Sequence, residues 1–178
     1  MNWGAGFVEL DKELHERSTF DCGEEELNEF IRTRAARHMA AGLSKTLVLP
    51  TDAPALDGKY GICAFFTLTP QVVERESLPA DLAKKLPHYP VPVFLIAQLA
   101  VHLELKGRNL GRITLFKALD YLWHVNSRMP AYAVVVDCLN QRAQGFYEKF
   151  GFQVLGEHHG RVRMFLPMRT VEELMTEA

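Results

Sequence analysis

Between Lys106 and Arg112 the chain reads KGRNLGR: the cations Lys106, Arg108 and Arg112 are interleaved with Gly107, Asn109, Leu110 and Gly111. An apolar segment precedes this stretch and an amphipathic one, Leu110 to Trp123, follows it. A strand that turns through glycines into a helix exposes several backbone N–H groups without intrahelical partners, at the positive end of the helix dipole. Phosphate suits such a spot. The final G-K-[ST] of a Walker loop is missing, and so is the G-x-G-x-x-G spacing of a dinucleotide site; neither ligand class is implied. Taken alone, the turn reads equally as a phosphate seat and as a solvated surface turn.

Other basic residues stand in chemically suggestive places. Arg34 and His38 fall among Leu27, Phe30 and Ile31, on an apolar stripe rather than opposite it, with Arg32 and Arg37 close by. Arg161 and Arg163 lie in HHGRVR, with Arg169 beyond. Together with the turn they could form a track for nucleic-acid phosphates, or each could lay its stem on the core and send its charge to water. His102 and Glu104, beside the turn, could accept a proton through water or be ordinary loop residues.

The elements that must position these groups follow from periodicity. Asp21 with Glu24 resembles a capping box, ahead of a helix carrying Leu27, Phe30, Ile31, Ala35 and Met39, with Gly42 as its stop. KTLVLP and KYGICAFFTLTPQVV read as strands joined through Asp57-Gly58. VPVFLIAQLAV and AYAVVVDCL are apolar enough to be strands buried on both faces. The helix from Leu110 lies between them. QRAQGFYEKF is a short helix closed by Gly151, two strands follow around Gly160, and Thr170 with Glu173 could cap a last helix. The order predicts an α/β chain with a parallel crossover near its middle, one domain over residues 1–178.

Bulk properties narrow the function classes. A formal net charge of −2 provides no global basic field, so any nucleic-acid surface must be a local patch. Cys22, Cys63 and Cys138 are odd in number and widely spaced, which disfavours a disulfide framework or a zinc site and suits a reducing cytoplasm; no metal is expected. Neither a secretory leader nor a membrane-spanning run is expected, and no membrane partner.

The pair LAVHLELKGRNLGR and NQRAQGFYEKFGF, separated by one helix and one strand, resembles the GNAT superfamily of acetyl-CoA-dependent N-acetyltransferases. Phe146, Tyr147, Gly151 and Phe152 match the family's F-Y-x-x-x-G-F ending; Lys106 and Asn109 depart from its [RQ]-x-x-G-x-[GA] turn. The resemblance implies a single-domain GNAT fold, a mixed central sheet with a splayed parallel pair, flanked by helices. It implies acetyl-CoA as cosubstrate, its diphosphate on Lys106, Gly107, Arg108, Asn109, Leu110, Gly111 and Arg112, and its pantetheine arm along Leu99, Ala100 and Val101, with Asn140 near that arm. Tyr147 is then the general acid for the leaving sulfur, since a phenol with a pKa near ~10 is protonated at neutral pH.

FDCGEEELNEFIRTRAARHMAAGLSKTLVL with YPVPVFLIAQLAVHLELKGRNLG is similar, more narrowly, to the GNAT toxins of toxin–antitoxin modules. Gln98 and His102 stand where those toxins often carry Arg and Asp. The resemblance implies acetylation of the α-amine of aminoacyl-tRNA, a block of translation, and a ribbon-helix-helix antitoxin as partner. Arg34, His38, Arg161 and Arg163 become candidate substrate contacts. Acetylation of a small amine or a protein N-terminus stands as the second reading, and a non-enzymatic acetyl-CoA-binding module as a third. The apolar, proline-rich stretch Pro87 to Phe94 suggests a homodimer.

Overall fold

Lys45–Pro50 (β3) and Tyr60–Val73 (β4), rich in β-branched and aromatic residues, pair antiparallel from Lys45↔Leu68 to Leu49↔Ala64. The register slips at Pro50, which has no N–H to give the ladder. Thr46 and Thr67, directly opposite, share a buried hydroxyl–hydroxyl hydrogen bond of 2.7 Å. The computed structural model describes residues 1–178, and its contacts divide into two compact units. The first is Met1–Thr69 with Ala97–Ala118; the second is Pro70–Ile96 with Leu119–Ala178. The fold is α/β, a mixed sheet of parallel and antiparallel strands with helices. No helix is long and apolar enough to cross a membrane.

In the first unit the strand order is β1 (Val8–Glu9), β3, β4, then the end of β5 (Val91–Val101), and β2 (His15–Glu16) pairs with β4. Neither β1 nor β2 is legible in the sequence; each is two residues long. The first helical segment is α1 (Glu25–Glu29), a π-helical turn Phe30–Arg34, then α2 (Ala35–Ala40). In the π turn, the Ala35 N–H donates to the Phe30 carbonyl five residues back. Phe30, Ile31 and Ala35 are buried against Phe20, Val48, Phe65 and Ala100, as the spacing predicted. Gly42 (φ +74°) ends the segment, with Leu43 N–H bonded to the His38 carbonyl at 2.9 Å.

The expected capping box does not form. The Asp21 carboxylate accepts from Gly23 N–H at 2.9 Å and from Asn28 Nδ2 at 3.0 Å, while the Asn28 carbonyl oxygen accepts from Cys22 N–H. Buried Asn28 thus ties the loop down from within the helix, and Glu24, in the N-cap position, makes no side-chain cap.

In the second unit β5 pairs parallel with β6 (Ala133–Asp137) from Val93↔Ala133 to Ile96↔Val136. Beyond Ile96, β5 runs on through Ala97–Val101. On its other side β6 pairs antiparallel with β8 (Arg161–Pro167), which pairs with β7 (Gln153–His158). The proline-rich connection holds a short helix α3 (Ala80–Ala83). Leu110–Asn126 forms α4 and Gln141–Glu148 forms α5. The last helix, α6, is Met168–Thr176; it begins after Pro167, so Thr170 lies inside its first turn and is not its cap.

Candidate active site

The turn is built by its flanks. Leu105 and Leu110 are fully buried, and Lys106–Asn109 between them are exposed. Gly107 (φ +81°) and Asn109 (φ +63°) take the left-handed conformation that lets successive N–H groups converge. Asparagine is the non-glycine residue that tolerates this best, so Asn109 substitutes for the glycine usual there. The amides of Leu110, Gly111 and Arg112 open α4 and have no intrahelical carbonyl; the Ile113 N–H is the first to reach back, to Asn109 O at 3.2 Å. Nothing lies within 4 Å of a Cβ built on Gly107, so that position faces open space. This backbone suits a diphosphate.

The three cations reach different neighbours. Lys106 Nζ lies 3.5 Å from where a Cβ on Gly23 would stand. Arg108 Nη1 donates to the Met1 carbonyl at 3.1 Å, with its guanidinium carbon 4.5 Å from the Trp3 ring centre. Arg112 lies over Phe116 at 5.1 Å. Upstream, Ala100 is buried while Leu99 and Val101 are half-buried at the end of β5. The His102 N–H continues the pairing to Cys63 O at 2.8 Å, and the His102 ring accepts from Glu104 N–H at 3.2 Å. That bond and the edge of Phe20, 5.7 Å away, hold the imidazole in the loop.

Arg34 and His38 converge on one ring. The Arg34 guanidinium carbon lies 5.8 Å from the centre of Phe30, and His38 meets the same ring edge-on at 5.6 Å. Phe30 and Arg34 are four residues apart, the spacing at which helix side chains meet. Arg34 Nε is buried without a hydrogen-bond partner.

In the second unit, Asn140 caps α5: its side-chain oxygen accepts from Ala143 N–H at 2.9 Å. Gly151 (φ +91°) ends the helix, and the Phe152 N–H returns to Tyr147 O at 3.3 Å. That turn sets Phe152 5.3 Å from the Tyr147 ring, with Phe146 on another side at 5.2 Å. Tyr147 is buried. Burial, with the nearby Cys138 thiol as a smaller cause, pushes the phenol above its ordinary value, so it remains protonated. The Cys138 thiol is itself pushed up to about 11 by burial and by Asp137 and Glu148.

Arg161 is half-buried at the start of β8. Arg163 is buried and makes a bidentate pair with Asp137, at 2.7 and 2.8 Å. The expected phosphate track therefore loses Arg163, whose fork is engaged across the sheet. Three features escaped the sequence reading: Trp3 beneath Arg108, Asp137 opposite Arg163, and Asn28 under the Asp21 loop. Only Asp137, a carboxylate ending the run AVVV, carried a signal in the sequence.

Comparison with known proteins gives these units a family. The profile of the acetyltransferase (GNAT) family matches residues 61–152, about half of the chain. A Mycobacterium tuberculosis protein named tRNA-acetylating toxin is 28% identical over 137 residues, 77% of this chain and 78% of that protein. Sinorhizobium fredii "Probable toxin TacT" is 24% identical over 174 residues, 93% and 92% of the two chains. Among solved structures, AtaT complexed with acetyl-methionyl-tRNAfMet superposes with a TM-score of 0.85 at 25% identity, covering 96% of this chain and 98% of that one. A KacT mutant has the same fold, with a TM-score of 0.84 at 23% identity, over 95% and 98% of the chains. With its strand, its glycine–asparagine turn and its tyrosine-bearing helix all inside the matched residues, this chain belongs to the acetyltransferase (GNAT) family and is an N-acetyltransferase.

Proposed function

We propose that residues 1–178 form one N-acetyltransferase domain that moves the acetyl group of acetyl-CoA to the α-amine of aminoacyl-tRNA and thereby stops translation. The observation that carries this reading is the likeness, over nearly the whole chain, to AtaT complexed with acetyl-methionyl-tRNAfMet. The left-handed pair Gly107 and Asn109 beside three cations supports the cosubstrate. The similarity to a tRNA-acetylating toxin supports the acceptor.

The cosubstrate supplies the acetyl group as a thioester; the chain's own residues do the rest. Backbone amides from Gly107 to Arg112, with Lys106, Arg108 and Arg112, hold the diphosphate. Leu99, Ala100 and Val101 offer strand-edge groups to the pantetheine arm, and Asn140 stands beside it. Tyr147, kept protonated by its burial, gives its proton to the departing sulfur. An aminoacyl α-amine has a pKa near ~8 and is partly neutral already, so no strong base is required. Arg34, His38 and Arg161 contact the tRNA, while Arg163 is engaged by Asp137 within its own sheet. A ribbon-helix-helix antitoxin neutralises the enzyme, which works in the cytoplasm as a homodimer.

The test is incubation with acetyl-CoA and charged total tRNA, then mass analysis of the aminoacyl adenosines. Acetylated aminoacyl adenosine is expected. Its absence, with acetylation of free amines or of peptide N-termini instead, would transfer the activity to a small-amine or N-terminal acceptor.

A further inference from the structure

An arginine on an exposed turn ordinarily samples many rotamers, and ordering it on binding costs affinity. Arg108 is exposed, yet its guanidinium is held: the Trp3 ring lies 4.5 Å away, and the Met1 carbonyl accepts from Nη1 at 3.1 Å. Trp3 is itself fixed. It bridges antiparallel to Thr51, Gly4 N–H donates to Pro50 O at 2.8 Å, and Asp52 N–H donates to Asn2 O at 3.1 Å. Its side chain packs against the cluster that contains Leu105 and Leu110, the two residues bracketing the turn. The indole is therefore part of the floor beneath the anion seat.

We infer that Trp3 is a positioning residue for Arg108, holding the guanidinium in place before the diphosphate of the cosubstrate arrives; this rests on the acetyl-CoA reading above. The physics favours a stack over an ion pair for this task. A carboxylate partner would neutralise the cation and occupy its donors. An aromatic face attracts the cation through its quadrupole, takes the flat side of the guanidinium, and leaves the in-plane N–H groups other than the one given to Met1 for oxygen acceptors. Both residues lie in the first unit, so the relationship involves no contact between units.

The experiment is calorimetric titration of the full chain with coenzyme A, in the wild type and in Trp3→Met, Trp3→Phe, Arg108→Gln and Trp3→Met/Arg108→Gln. Trp3→Met keeps an apolar side chain without an aromatic face and is expected to weaken binding about three- to fivefold. Trp3→Phe restores most of that loss. Arg108→Gln weakens binding about tenfold, and the double variant binds no worse than Arg108→Gln alone. That non-additivity is the readout a purely structural tryptophan would not give. If Trp3→Met does not fold, the same cycle is run with Trp3→Phe, expected to cost about twofold with Arg108 present and nothing in its absence. Additive losses, or unchanged affinity in the Trp3 variants, overturn the inference and leave the acetyl-CoA reading intact. Failure of the wild type to bind coenzyme A overturns both.

Discussion

Arg163 and Asp137 face each other across the β6–β8 register, and the guanidinium grips both carboxylate oxygens, Nε to Oδ1 at 2.7 Å and Nη2 to Oδ2 at 2.8 Å. Their side chains are only 10% and 21% exposed, so solvent screens the pair weakly. The next residue, Cys138, continues the ladder through its N–H to Val162 O at 2.8 Å and leads to Asn140, the cap of α5. The pair thus anchors the chain just before the helix that carries Tyr147. Removing one partner strands a charge: Arg163→Met should destabilise by about 2–3 kcal/mol, and Asp137→Asn/Arg163→Met should recover part of that. Urea denaturation of both variants checks it; equal loss in each would show that the cost is packing alone.

Tyr147→Phe removes the proton donor but keeps the ring between Phe146 and Phe152. Turnover should fall about a hundredfold or more while coenzyme A affinity and stability hold. Because burial raises the phenol, difference spectra against the wild type should show its ionisation above the ordinary tyrosine range near ~10. A variant of unchanged turnover would take Tyr147 out of the chemistry.

Asn109 holds φ +63° at the turn. Asn109→Gly should keep coenzyme A affinity within about twofold, because glycine takes this conformation without steric cost. Asn109→Val should weaken it about tenfold, since a β-branched residue is strained there by roughly 1–2 kcal/mol. Calorimetry on both variants separates backbone conformation from side-chain contact.

His15 is buried, and burial lowers its pKa, with the Asp11 carboxylate pulling the other way. Its Nδ1 accepts from Asp11 N–H at 2.9 Å, which requires that nitrogen unprotonated. The unfolded chain therefore binds this proton more readily than the fold does. The stabilisation is complete above the unfolded value of about 6.5 and is lost as pH falls through the lower folded value. Urea midpoints between pH 7.5 and 5 should fall more steeply for the wild type than for His15→Asn.

A tRNA substrate held through phosphates should bind much less tightly in 200 mM than in 50 mM salt. Arg34→Gln should weaken binding and reduce the slope of log affinity against log salt by about one. Filter binding at several salt concentrations measures both, and an insensitive affinity would argue against Arg34 as a phosphate contact.

Local physics made much of this chain legible. The apolar run from Val91 to Val101, the glycines that stop helices at Gly42 and Gly151, and the cation-rich turn ahead of α4 each act within a few residues, so their patterns survive in the sequence. The spacing of Leu27, Phe30, Ile31 and Ala35 marked a buried helical face but not its π turn, because a single wider turn still puts the same residues inward. Tertiary structure alone decided that Arg163 faces Asp137, that Asn28 braces the Asp21 loop, and that Trp3 lies under Arg108. The first and last of these join residues far apart in the chain; the Asn28 brace depends on the path of a loop that no propensity specifies. Periodicity encodes which side of an element is buried; it does not encode which charge or ring waits on the other side of the contact, since folding brings those partners together only after every element has been placed.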